Sequence, residues 1–180
     1  MSGLWSSLTR AWDRHAPFAF LKDPLVHPKE DGVVTLDVPG YRQVQTYTCG
    51  YVAGMMVLHY FRPRASADRF WNKCRPDPED GMGQRKLVRA LRSSGVKVGE
   101  RRHFGFDELH RAIAAGKPVI TTVTLPTTDH WVVIYGVGVS PRRVFIAGNG
   151  FPYLNRNKVM TWAQFARHRG GVDGGLICSN

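Results

Sequence analysis

In the stretch RQVQTYTCGYVAGMMVLHYF, residues 42–61, a polar run ends at Thr48–Cys49–Gly50 and apolar residues dominate from there to Phe61. Thr48 suits a helix N-cap, so Cys49 is expected in the first helical turn. Free N–H groups and the positive end of the helix dipole converge there, and both favour a thiolate over a thiol. A thiolate can attack a carbonyl carbon. Gln43, six residues before Cys49, is expected to turn its amide back across the helix end. Beside the Cys49 backbone N–H it would form an oxyanion hole. Gln45 is the rival donor, and strand alternation together with loop length favours Gln43. Gly50 is expected to leave room for a substrate backbone. Alone, Cys49 would be an ordinary core thiol.

A thiol nucleophile needs a base. Among seven histidines, His130 is best placed, because it opens the apolar run HWVVIYG after the turn residues TLPTTD. His59 falls inside the apolar helix, where packing explains it. His15, His27, His103, His110 and His168 read as loop or surface residues. A third group must orient the imidazole through its second nitrogen. Asn149 ends the run VFIAGNG, and antiparallel pairing would bring it near the start of the His130 strand. Asn149–Gly150 is equally a hairpin turn signal.

These residues need elements to hold them. Residues 50–61 are apolar nearly all round, which predicts a buried helix. Helices are also expected near 65–74 and 82–94, the second with Arg85, Arg89 and Arg92 on its outer face. FDELHRAIAAGKP reads as a short helix with a Gly–Lys–Pro stop. VVTLDV is expected to form a short strand. PVITTVTL, HWVVIYGVGV and RRVFIAG are β-branched runs divided by turn residues, so strands are expected. TWAQFARH reads as a last helix and GGLICS as a closing strand. Helices first and a mostly antiparallel sheet after them make an α+β order. At the amino end, Leu4, Trp5, Leu8 and Trp12 share a helical face, so an amphipathic helix and connector are expected over 1–30 and the main domain over 31–180.

Composition narrows the function classes. A length of 180 residues fits one core. Cys49, Cys74 and Cys178 are too few and scattered for a disulfide framework, and without a C-x-x-C pair they argue against zinc-finger and thioredoxin chemistry. A single Cys74–Cys178 bridge is the alternative to three free thiols in a reducing compartment. No Cys/His cluster has metal-ligand spacing, so no metal or other cofactor is expected. The amino end lacks a continuous apolar h-region, and no run reaches the length of a membrane span, so a cytoplasmic protein without a transmembrane segment is expected. The net charge of +11 favours an anionic partner such as nucleic acid, acidic protein or an anionic membrane surface. No specific nucleic-acid motif accompanies it, and a solvated surface is the plainer reading.

The ordered set of Gln43, Cys49–Gly50, His130–Trp131 and a polar residue at the next strand end resembles papain-like cysteine peptidases. More narrowly, it is similar to the bacteriocin-processing, double-glycine leader peptidases and their free-standing bacterial relatives. GMGQRKLVRALRSSG resembles that family's Gly-led basic helix, and GKPVITTV its strand entry. The resemblance spans roughly Val38 to His168. It implies a papain-like α+β fold, a thiolate–imidazolium mechanism without metal, and a peptide or protein substrate. It also implies Cys49 as nucleophile, His130 as general base and Gln43 as oxyanion donor. Asn149 falls where the family usually carries Asp followed by Pro; here the run is Gly148–Asn149–Gly150, with Pro152 displaced. Three functions fit this sequence. They are a cysteine peptidase, a papain-like acyltransferase, transamidase or deamidase of effector or toxin type, and a non-catalytic binding module on the same scaffold.

Overall fold

In the computed structural model, the described residues are 20–126, 128–148, 158–169 and 174–180. The expected amino-terminal helix and Asn149 lie outside them.

The apolar run after Gly50 forms helix α1, Cys49–Phe61, in which ten consecutive residues, Cys49 to Leu58, are buried. A helix buried on every side needs cover all round. β6 (Asp129–Val139), β3 (Tyr41–Gln43) and α3 (Gln84–Ser93) supply much of it. Gly54 sits where α1 meets α3 and α2 (Ala67–Cys74). A Cβ there would lie 2.9 Å from both Leu87 Cδ1 and Phe70 Cζ. The amphipathic helices follow the expected pattern, with Leu87, Val88 and Leu91 of α3 buried and Arg85, Arg89 and Arg92 exposed.

The other strands are β1 (Phe20–Lys22), β2 (Val33–Thr35), β4 (Lys97–Arg101), β5 (Val119–Thr124), β7 (Arg142–Ala147), β8 (Lys158–Thr161) and β9 (Gly175–Ser179). The main sheet runs β4-β9-β5-β6-β7-β8, and its described pairings are antiparallel. β5 pairs with the first half of β6 through Ile134, and β2 takes over that edge at Gly136–Gly138. β6 is buried from Val132 to Gly138. Successive side chains of a strand point to opposite faces, so both faces of the sheet are covered there. Both α1 and α4 (Phe106–Ala114) pack against β6, and α5 (Trp162–Arg167) closes over β7 and β8. This is the expected α+β architecture.

Three features depart from the pattern read in the sequence. β1 and β3 form a separate two-stranded pair, fastened by the Phe20 and Tyr41 rings 4.4 Å apart. β4, with the sequence KVGER, pairs with β9 despite little apolar alternation. The third is the mode of α1 entry, through a 3-10 turn over Thr46–Thr48. The Cys74–Cys178 alternative is not formed: all three thiols are free and buried.

Alanine normally strengthens a helix relative to glycine by up to about 1 kcal/mol. At Gly54 overpacking outweighs this, so Gly54→Ala is expected to cost about 1–3 kcal/mol. Gly83→Ala, whose Cβ would meet nothing within 4 Å, is the control. Urea unfolding of the two variants against the parent measures the difference.

Candidate active site

The 3-10 turn delivers Cys49 as the first residue of α1. Thr48 occupies the N-cap position but its side chain does not cap the helix. Its hydroxyl donates backward to the Gln45 carbonyl at 2.9 Å. The N–H groups of Trp131, Gly50 and Cys49 lie where their dipoles favour charge on the Cys49 sulfur. β7 stops pairing with β6 at Val133–Ala147, two residues beyond Trp131, so the first turn of α1 meets β6 beyond the end of the β7 ladder.

His130 is the second residue of β6 and is 1% exposed. Its Nε2 lies 3.0 Å from the Gly148 carbonyl oxygen. A carbonyl can only accept, so Nε2 carries the proton, and in the neutral ring Nδ1 holds the lone pair. Fixing the ring through its second nitrogen is the role expected of Asn149. Among the described residues a main-chain carbonyl one position earlier does this. Cys49 and His130 line one cleft of about 740 Å³, together with Thr46, Tyr47, Thr122, Asp129, Trp131 and residues 78–84.

Trp131, which the sequence gives as the partner of His130 in the family resemblance but with no role of its own, joins the cleft walls. Its indole N–H donates to the Met82 carbonyl at 2.8 Å. A Cβ on Gly50 would lie 3.0 Å from Trp131 Cδ1 and 3.1 Å from Met82 Cε. Gly50 therefore lies in close packing with Trp131 and Met82. The sequence did hold a signal for the second wall: the polar turn PEDGMG ahead of α3.

Gln43 ends β3. Its Nε2 donates to the Thr46 carbonyl at 3.1 Å, and it is not among the residues lining the cleft. Its Oε1, like that of Gln45, is buried without a hydrogen-bond partner among the described residues. His59 is a packed residue: the Tyr41 hydroxyl donates to its Nδ1 at 2.6 Å and its Nε2 donates to the Ala65 carbonyl at 2.9 Å. That pair anchors β3, and Gln43 with it, to the far end of α1.

The electrostatics depart from expectation. Burial pushes the Cys49 thiol up, and the N–H groups of Trp131, Gly50 and Cys49 only partly offset it. Burial also drives His130 down to about 4, against a smaller raising effect of the Gly148 carbonyl. Desolvation of both groups outweighs the favourable dipoles at the helix end and favours the thiol and the neutral imidazole. Among the described residues no group of His, Cys, Asp and Glu could hold a metal ion. No described helix is long and apolar enough to cross a membrane.

Residues 35–167 match the Peptidase_C39 like family, and the chain belongs to it. Three similar solved structures share the fold. A double glycine motif protease from an AMS/PCAT transporter, in complex with the leader peptide, is 18% identical with a TM-score of 0.61, and the match covers 88% of this chain and 98% of that one. The peptidase domain of Streptococcus ComA, a bifunctional ABC transporter involved in a quorum sensing pathway, is 13% identical with a TM-score of 0.58, covering 77% and 95%. A C39-like peptidase from Bacillus anthracis is 15% identical with a TM-score of 0.65, covering 83% and 98%. No curated protein matches the sequence. The fold is that of C39 papain-like peptidase domains.

The neutral pair has two measurable outcomes. An unfolded chain protonates its histidine near the ordinary 6.5, whereas native His130 resists protonation until about 4. Its contribution to stability is therefore full above 6.5 and lost as pH falls towards 4, amounting to about 3 kcal/mol. His130→Asn should lose less stability than the parent across that window in urea titrations. Iodoacetamide should modify Cys49 before the more deeply buried Cys74 and Cys178. Because the thiol titrates high, the rate should still climb between about pH 7 and pH 9; a rate already maximal near pH 6 would contradict the neutral pair.

Proposed function

From membership of the Peptidase_C39 like family, we propose that the protein is a cysteine peptidase that hydrolyses a peptide bond through an acyl-enzyme on Cys49. The observation that carries this reading is the tautomer of His130. With Nε2–H given to Gly148, the lone pair is left on Nδ1, and His130 and Cys49 line the same cleft.

In the proposed reaction the Cys49 S–H proton passes to His130 Nδ1 as the sulfur attacks the substrate carbonyl carbon. The neutral resting pair makes this a general-base step, with charge separation arriving only when a substrate carbonyl is present to take up the electrons. The carbonyl oxygen becomes an oxyanion beside the Cys49 N–H. Gln43 would release the Thr46 carbonyl and supply the second donor. Collapse of the tetrahedral species breaks the C–N bond, and the imidazolium gives its proton to the leaving amine. Water, deprotonated by the same imidazole, then releases the acid and regenerates the thiol. Asn149 acts beside the Gly148 carbonyl to hold the ring in register.

The leader peptide bound to the AMS/PCAT protease supports a peptide as the ligand of this cleft. Three free thiols support a reducing compartment, the cytoplasm, as the place of action. The exposed Arg85, Arg89 and Arg92 of α3 offer a face for an anionic partner. The same dyad can pass the acyl group to an amine or deamidate a side chain. A binding module would share the neutral resting pair.

Cys49→Ala is expected to abolish backbone scission of peptide substrates, read by product mass. Gln43→Ala should lower kcat by roughly a hundred- to a thousandfold with a smaller change in KM. A gain of one dalton or an acyl adduct in place of scission would transfer the assignment to deamidation or acyl transfer. Full biological effect of the Cys49→Ala protein would favour the binding module.

A further inference from the structure

The Gln43 amide is held more by its strand than by its own hydrogen bonds. Among the described residues its Nε2 donates to the Thr46 carbonyl at 3.1 Å, and its Oε1 has no partner. Whatever fixes β3 therefore decides where the amide stands. Among the described strands, β3 is not part of the main sheet and pairs with β1 instead, three residues a side. Two strands this short are marginal in water unless they pack against a larger body. At one end of the pair the Asp23 N–H donates to the Gly40 carbonyl at 2.9 Å. That contact ties the segments of β1 and β3 to each other, not to α1.

Two kinds of contact tie β3 to α1. Tyr41 and Gln43 are two residues apart in β3, so their side chains leave the same face of the strand. Tyr41 turns that face to α1: its hydroxyl donates to His59 Nδ1 at 2.6 Å, and the two rings meet edge to face, 5.6 Å apart. His59 Nε2–H is already given to the Ala65 carbonyl at 2.9 Å, which leaves Nδ1 as a fixed acceptor. The second contact is apolar. Phe20, the Cα partner of Gln43, stacks on Tyr41 at 4.4 Å and approaches Tyr51 of α1 at 6.1 Å. An apolar stack tolerates sliding, whereas a short hydrogen bond to a fixed acceptor is directional. Neither Tyr41 nor His59 lines the cleft of Cys49 and His130, so any effect of theirs on the reaction must pass through β3.

We propose that Tyr41 and His59 are positioning residues. Their hydrogen bond sets the place of β3 along α1, and so holds the Gln43 amide where it can turn from the Thr46 carbonyl to an oxyanion at Cys49. The effect on rate rests on the peptidase reading and on Gln43 as the second oxyanion donor. The placement of the amide does not.

Tyr41→Phe removes the hydroxyl and keeps the ring on Phe20. With a peptide that the parent cleaves, it should lower kcat about ten- to a hundredfold and change KM by less than about threefold. In the Gln43→Ala protein the same change should lower kcat by less than about twofold, because the donor it positions is gone. Tyr60→Phe, which removes the next hydroxyl along α1, is the control. An equal loss in Tyr60→Phe, a loss as large without Gln43 as with it, or an unchanged kcat in Tyr41→Phe while Gln43→Ala is impaired overturns the proposal. Placement is read without activity, by NMR, from the side-chain NH2 signals of Gln43 in isotope-labelled protein, identified by their loss in Gln43→Ala. Tyr41→Phe should speed their exchange with water at least about threefold and leave those of Gln84 unchanged. Unchanged exchange at Gln43 overturns the proposal whatever the activity. Faster exchange supports the placement even where Gln43→Ala is as active as the parent, which removes the oxyanion reading, or where the parent cleaves no peptide, which removes the peptidase reading.

Discussion

The site depends on one side chain that has no chemistry of its own. Trp131 presses its ring edge against Gly50, at the first turn of α1, and gives its indole N–H to the Met82 carbonyl. Three chain segments far apart in sequence meet at that indole: the first turn of α1, the loop before α3 and the mouth of β6. The main chain of the same residue donates to the Cys49 sulfur, so ring and backbone fix opposite sides of one junction. A buried indole N–H needs a partner, and this requirement makes the junction directional rather than merely packed.

The junction leaves Cys49 and His130 deeply buried. A cysteine at a helix N-terminus is usually discussed as an activated thiol, and the dipole argument holds as far as it goes. The competing effect is burial. Cys49 is 8% exposed and His130 1%, and at that depth the cost of carrying charge outweighs the gain from three N–H groups on the sulfur. Dipole stabilisation and desolvation grow together as a helix end is buried, and here the second has grown faster. Burial therefore favours the uncharged form of both side chains.

The fold was legible where a single physical signal dominated. α1 is apolar on every face, and the runs forming β5, β6 and β7 are β-branched between turn residues; these elements emerged near their expected bounds. β4 was not legible because KVGER takes its strand conformation from pairing with β9, a long-range contact with no local trace. For the candidate site, residue type singled out Cys49 and His130 but gave no view of their environment. Cys49 and His130 do share a cleft. Which way the Thr48 hydroxyl turns, and which side chain lies against Gly50, depend on packing between distant segments. The orienting carbonyl of Gly148 could not be read at all, since main-chain acceptors leave no mark on residue identity. Solved structures 13–18% identical to this chain share its fold, as expected when pattern and a few contacts, rather than particular side chains, specify the architecture.

The position of β9 has a consequence in time. It comes after every other described strand in the chain, yet it lies inside the sheet, between β4 and β5. Until it arrives, β5 has β6 on one side and an open hydrogen-bonding edge on the other. During synthesis the ribosome therefore releases Cys49 and His130 well before the sheet behind them can close. Pairing of Leu176 with Ile120 and of Ile177 with Val119 completes the wall that carries Thr122. An incomplete chain would hold the residues of the cleft beside a sticky strand edge. Pairing of β9 is thus the step that closes the sheet behind Cys49 and His130.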